Sequence, residues 1–241
     1  LKQRHGHAGE SESSTVGVHD TIVTTMGMRI VSGIYPPKTV IGSETDIGQI
    51  FNASRTATRE ALKILSSKGL VEGRPKIGVV VRPSDCWNMM DPMILDWAMQ
   101  DPAQTEKMIL DLYELRMMIE PEAARLAARH HTSENEAAIR RALRGMATYL
   151  DTDDRVEQDI AFHIAILAAS GNRLFVSLGQ LISVGLRYLF HSGLEATSEE
   201  DDRWITRHKR VADAVFTRDE DLASLEMTTL LKEAKELRGS A

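Results

Sequence analysis

The chain has 241 residues, 42% of them apolar but only 5% aromatic. Such a length suits two domains, and a composition rich in Leu, Ile, Ala and Met favours packed helices over a β-sandwich. A single cysteine, Cys86, excludes an intrachain disulfide, and no apolar run reads as a signal peptide or a membrane span, so a cytoplasmic, reducing setting away from membranes is expected. The net charge of −6 argues against a polyanionic partner until it is divided. Through Ser84 there are 11 Lys and Arg against 7 Asp and Glu, and beyond it 18 against 28, so the two parts carry +4 and −10.

Residues 1–14 combine Gly, Ser, His and charged side chains without apolar periodicity, as a disordered tail does. A first domain is expected over 15–82. Ile22, Val23, Met26, Ile30 and Val31 share one face of a helix over about 19–32, stopped by Gly33. A second helix is expected over 44–51, and Asn52-Ala53 leaves only a tight turn before Ser54, a good N-cap for a third. On that third helix Ala61, Leu62 and Leu65 form an inward stripe, while Arg55, Thr56, Thr58 and Arg59 occupy the first turn and a half. Alone this reads as an ordinary amphipathic helix. After a helix and a short turn it reads as a recognition helix, with those side chains at base edges and phosphates. Residues 71–81 then form a β-hairpin with Arg74 and Lys76 at its tip, the place of a wing.

Arg82-Pro83-Ser84-Asp85 breaks the pattern, and residues 83–104 read as a linker. Trp87 and Trp97 should pack it against a domain, with a short helix near 93–99. From 105 to 238 only helices are expected, over about 105–129, 133–150, 154–169, 173–190, 201–217 and 219–237. Pro121 should kink the first, Ser133 and Glu136 should form a capping box on the second, and Ser170-Gly171-Asn172 should break the chain after the third. The fold class is therefore mainly α: a winged helix-turn-helix followed by an all-helical bundle.

Asp159 and His163 stand four apart on one helix face, as a surface ion pair or as two ligands of one cation. Ile160, Phe162, Ile164, Ile166 and Leu167 surround them, so at least one should face the interior, where it needs its neighbour or a ligand. Arg116 and Arg187 also lie on apolar helices, and each must snorkel, pair with an acid or bind an anion. His191 shares the face of Arg187.

Over about residues 18–82 the chain resembles the GntR family of bacterial transcription regulators, through Ile30-Val31-Ser32-Gly33-Ile34-Tyr35-Pro36-Pro37, Ser43-Glu44, Phe51-Asn52-Ala53-Ser54-Arg55-Thr56, Arg59-Glu60-Ala61-Leu62, Gly69-Leu70-Val71 and Gly78. Pro37-Lys38 departs from the usual Pro-Gly. The resemblance implies a homodimer on operator double-stranded DNA, contacted through Ser54, Arg55, Thr56, Thr58, Arg59, Arg74, Lys76 and Gly78. Residues 105–238 resemble the helical effector domain of the FadR-like branch, through Glu114-Leu115-Arg116, Glu120-Pro121-Glu122-Ala123-Ala124, Asp159 with Phe162-His163, Ser170-Gly171-Asn172, His208, and Asp219 with Ala223 and Met227.

In metal-containing members of that branch one Asp and three His hold a divalent ion. Asp159, His163 and His208 match three of these, and Leu230 stands in the fourth place. Either a three-ligand site, zinc being the leading metal, is completed by water or effector, or the site has abandoned metal. The resemblance places Arg116 in the effector cavity, with Arg187 and His191 as further candidates. Trp87-Asn88, Asp91 and Leu95-Asp96-Trp97 resemble the linker of galactonate-responsive members, which points to a sugar acid. The expected function is a repressor of a catabolic operon controlled by a small carboxylate. Two alternatives stand beside it: a pure metal sensor, and a metal-dependent enzyme, for which no nucleophile pattern, positioned base or glycine-rich phosphate loop speaks.

Overall fold

The computed structural model describes residues 17–148, 152–191 and 198–239, so the expected tail over 1–14 lies outside the described residues. The chain divides into two units, Leu1–Asn88 and Met89–Ala241.

In the first unit, α1 (Val18–Val31) buries Ile22, Val23, Met26, Ile30 and Val31, the stripe its sequence announces, and packs on α3 (Arg55–Ser67). Ser43 caps α2 (Glu44–Ile50) in a capping box with Asp46. Ser54 caps α3, its Oγ accepting from the Ala57 N–H at 3.2 Å, and Ala61, Leu62 and Leu65 face inward. The wing strands β2 (Val71–Arg74) and β3 (Gly78–Val81) pair antiparallel with Val71 opposite Val81 and Arg74 opposite Gly78. A third strand, β1 (Val40–Gly42), adds to the far side of β3, giving the order β1-β3-β2. The hairpin expected from sequence is thus part of a three-stranded sheet. Gly78 has φ +116°, and a Cβ there would lie 2.5 Å from the Gly42 carbonyl oxygen, so only glycine lets β3 pass so close to β1.

No free tether spans 83–104. Residues up to Asn88 fold back on the first unit through a 3₁₀ turn at Ser84–Cys86. The Trp87 Nε1–H donates to the Arg82 carbonyl at 3.1 Å, and the Asn88 N–H to that of Lys68 at 2.9 Å. From Met89 the chain belongs to the second unit, whose first helix, α4 (Pro92–Met99), is capped by Asp91 and buries Ile94, Leu95, Trp97, Ala98 and Met99. The expected linker therefore divides between the two units, held to the first by these hydrogen bonds and to the second by the buried side chains of α4.

The second unit continues with α5 (Pro102–His130), α6 (Ser133–Thr148), α7 (Thr152–Ala169), α8 (Arg173–His191), α9 (Ser198–Phe216) and α10 (Glu220–Gly239). Helix α5 is continuous through Pro121 and packs on α10, α7, α9 and α8. Ala123, Ala124, Ala127 and Ala128 are all buried on it, and such small side chains let neighbouring helices approach closely. Arg218, itself at φ +59°, covers the carbonyl end of α5, its Nη1 donating to Arg129 O at 3.0 Å and its Nη2 to His131 O at 3.4 Å. The capping pair on α6 is Thr132 with Asn135, one residue before the expected Ser133 and Glu136. Among the described residues no helix is long and apolar enough to cross a membrane.

Candidate metal centre and nucleic-acid interface

Helices α5, α7 and α9 bring five polar side chains together in the apolar core of the second unit. Arg116 and Glu120 stand one turn apart on α5, Asp159 and His163 one turn apart on α7, and His208 comes from α9, and all five are nearly fully buried. Phe162 is edge-on to both imidazoles, 5.6 Å from His163 and 5.0 Å from His208 between ring centres, and the two imidazoles stand 5.6 Å from each other.

Charge pairing keeps these groups in the core. Arg116 Nε donates to Glu120 Oε1 at 2.5 Å, and Glu120 Oε2 accepts from His163 Nδ1 at 2.5 Å. Arg116 Nη2 lies 3.1 Å from His163 Nε2. Burial pushes the Glu120 carboxyl up, but the Arg116 charge and His163 outweigh it and hold the group at about 2. Burial likewise opposes ionisation of Asp159, and the positive charge that His208, His163 and Arg116 can carry outweighs it, leaving its pKa below the usual range. Counted without the imidazoles, Arg116 and the two carboxylates leave one net negative charge, suited to a divalent cation.

The fit to a metal rests on His208. Its Nδ1–H donates to the Trp204 carbonyl at 2.8 Å, an acceptor that fixes the proton on that nitrogen. When that nitrogen alone carries a proton, Nε2 turns its lone pair toward Asp159 Oδ1, 2.9 Å away but without the alignment of a hydrogen bond. Two acceptors confronting each other in the core require a proton or a cation between them. His163 Nε2 lies 3.9 Å from the same carboxylate oxygen. One ligand atom from each of Asp159, His163 and His208 falls within 4.8 Å of the others, and one carboxylate with two imidazoles is a donor set that zinc accepts. Leu230, in the place of the fourth histidine, packs in the apolar core and offers no ligand atom.

Arg116, expected from the resemblance to line an effector cavity, lies in this buried cluster and is paired with Glu120. Arg187 is not part of this group: it is 47% exposed and forms a two-pronged pair with Glu157 of α7, at 2.8 and 3.1 Å. That surface pairing removes the reason to assign it an anionic ligand. The His191 side chain lies outside the described residues. Glu120 was missed as a site residue, although its spacing of four from Arg116 was a usable signal.

In the first unit Arg55, Thr56 and Arg59 are exposed at the start of α3, with Arg59 Nε 3.8 Å from Glu44 Oε2. Thr58 is not with them. It is fully buried, its hydroxyl donates to the Ser54 carbonyl at 3.1 Å, and it sits against Gly48 of α2. It closes the helix-turn-helix instead of facing DNA. On the wing Lys76 is exposed at the turn, while Arg74 is held by Glu72 at 2.6 Å. Gly78 serves the sheet through its backbone and has no side chain to offer DNA.

Residues 19–81 match the bacterial regulatory proteins of the gntR family, and residues 111–233 match the FCD domain. The chain belongs to the GntR family. It is 31% identical over 210 residues to the uncharacterized HTH-type transcriptional regulator YieP of Escherichia coli strain K12, spanning 86% of this chain and 89% of the relative. It is also 31% identical over 218 residues to the galactonate operon transcriptional repressor of the same strain, spanning 90% and 95%. Among solved structures, Lar of Listeria monocytogenes shares the fold at TM-score 0.61 and 13% identity, spanning 93% of this chain and 97% of that one. This GntR chain is accordingly a DNA-binding transcription regulator with an FCD domain, from a family of regulators and not of enzymes.

Proposed function

We propose that this GntR regulator is a homodimeric repressor of a catabolic operon, released from its operator when a sugar acid binds in the helical unit beside zinc held by Asp159, His163 and His208. The observation that carries the reading is the confrontation of His208 Nε2 with Asp159 Oδ1 at 2.9 Å in a buried, net negative cluster that also contains an arginine. Zinc there supplies a positive centre for the hydroxyl and carboxylate oxygens of the effector, and Arg116 supplies the second cation. Among the described contacts Arg116 Nη1 makes no hydrogen bond, so the guanidinium keeps donors for a carboxylate. The relative that represses a galactonate operon supports the sugar-acid class.

On the DNA side, Arg55, Thr56 and Arg59 read the major groove from α3, with the Ser54 cap holding its first turn, and Lys76 and Arg74 meet phosphates from the wing. One such helix reads only a few base pairs, so two copies are needed for a palindromic site. Exposed Leu110 and Met118 on α5 and Leu222 and Leu225 on α10 leave apolar surface that a second copy can cover.

The test is operator binding by fluorescence anisotropy, titrated with galactonate and other sugar acids, each with and without zinc. Release by a sugar acid in zinc-loaded protein supports the reading. Release by zinc alone points to a metal sensor, and release by neither removes the effector assignment.

A further inference from the structure

The contacts of His163 run in two directions, and they come from two residues of one helix. Glu120 Oε2 is an acceptor, so the 2.5 Å contact at Nδ1 places the imidazole proton there. With the proton on Nδ1, Nε2 carries the lone pair. Arg116 Nη2 lies 3.1 Å from Nε2 and 3.4 Å from Nδ1, nearly equidistant from the two, so the guanidinium sits over the face of the ring and leaves the in-plane Nε2 lone pair open. Glu120 alone thus sets the tautomer. Glu120 and Arg116 are in turn joined at 2.5 Å and buried to 1% and 2% exposure, so neither has water as an alternative partner.

From this we infer that Glu120 and Arg116 act on His163 in opposite senses: Glu120 is a positioning residue that presents the Nε2 lone pair to the metal, and Arg116 is an internal cation over the ring that opposes the charge of the incoming ion. The inference rests on the zinc reading of Asp159, His163 and His208 and assigns two residues that are not ligands. A carboxylate on the far nitrogen of a ligating histidine fixes its orientation and raises its basicity, and losing such a carboxylate commonly weakens metal binding 10- to 100-fold. A guanidinium over the ring does the reverse, because it sets a like charge beside the incoming ion.

The test is zinc affinity of the full chain by competition with a chromophoric chelator, without effector. Glu120→Gln should bind zinc roughly 10- to 100-fold more weakly, and Arg116→Met at least about tenfold more tightly, at the electrostatic scale of a charge a few ångströms from the ion. Opposite signs separate positioning from general damage, since disrupted packing would weaken both variants. Changes of the same sign, or an unchanged affinity in either variant, overturn the inference. A measurement on the wild-type, metal-free protein guards against variants that fail to fold: long-range ¹⁵N–¹H correlation should find His163 protonated on Nδ1. Protonation on Nε2 overturns the inference. Wild-type protein that takes up no zinc fails the metal reading itself, which is a separate result from the tautomer.

Discussion

His208 Nε2 and Asp159 Oδ1 stand 2.9 Å apart in the core of the second unit, joined by no aligned hydrogen bond, while the other nitrogen of the ring is committed to the Trp204 carbonyl. A ligand that binds only the folded state stabilises it by mass action, about 2.7 kcal/mol at a hundredfold excess over its dissociation constant. For a protein of this size that raises Tm by about 5–10 °C. Zinc should do so in wild type, a chelator should reverse it, and His208→Gln should abolish it. Differential scanning fluorimetry with and without zinc measures all three.

Acid should unfold the second unit through Glu120. Its carboxyl is held at about 2 in the folded chain against 4.5 for an ordinary glutamate. Depression in the folded state means the stabilisation is complete above pH 4.5 and is lost as pH falls toward about 2. Asp159 is shifted in the same direction and adds to this limb. Wild type should lose on the order of 3 kcal/mol across the window relative to Glu120→Gln, whose acid limb should be flatter. Urea melts at stepped pH would show it, and parallel curves for the two proteins would count against the pairing.

An arginine and a threonine in one turn of α3 and a lysine on the wing should separate by function. Arg55→Ala should cost about 1–3 kcal/mol of operator affinity and relax preference at one base pair. Thr58→Val should leave operator affinity within about twofold and instead cost about 1 kcal/mol of folding stability, because its buried hydroxyl serves the Ser54 carbonyl. Lys76→Ala should weaken all DNA sequences alike and reduce the salt slope by about one. Anisotropy titrations on specific and scrambled duplexes at several salt concentrations distinguish the three.

These contrasts show where the sequence was legible. Helix α3 was readable because its cap, its stripe and its preceding turn are all local. Thr58 was misread because two residue types on the same helix side look alike until α2 is in place and Gly48 brings its backbone against the threonine. Strand β1 was missed because Val40, Ile41 and Gly42 are too few to show alternation, and their pairing with β3 is long-range. Asp159 and His163 were visible as a spaced pair on one helix. His208 entered through family likeness, and Glu120 became a site residue only when α5 and α7 were brought together. The Thr132 cap was displaced by one residue because two neighbouring hydroxyl residues cap equally well.

Metal and effector should be coupled. In the proposed reading, zinc at Asp159, His163 and His208 and the Arg116 guanidinium present positive charge to one sugar-acid carboxylate and its neighbouring hydroxyl. Whatever free energy the effector gains from zinc, zinc must gain from the effector, since the two affinities are linked reciprocally. Sugar-acid affinity should therefore rise on the order of 5- to 150-fold in zinc-loaded protein, and zinc affinity by the same factor in the presence of the acid. His163→Ala should lose both the metal and the response of operator binding to the acid. Isothermal titration in both orders closes the cycle. Equal sugar-acid affinity with and without zinc would reduce Asp159 and His163 to a polar pair in the core of the second unit, leaving Arg116 to bind the carboxylate alone.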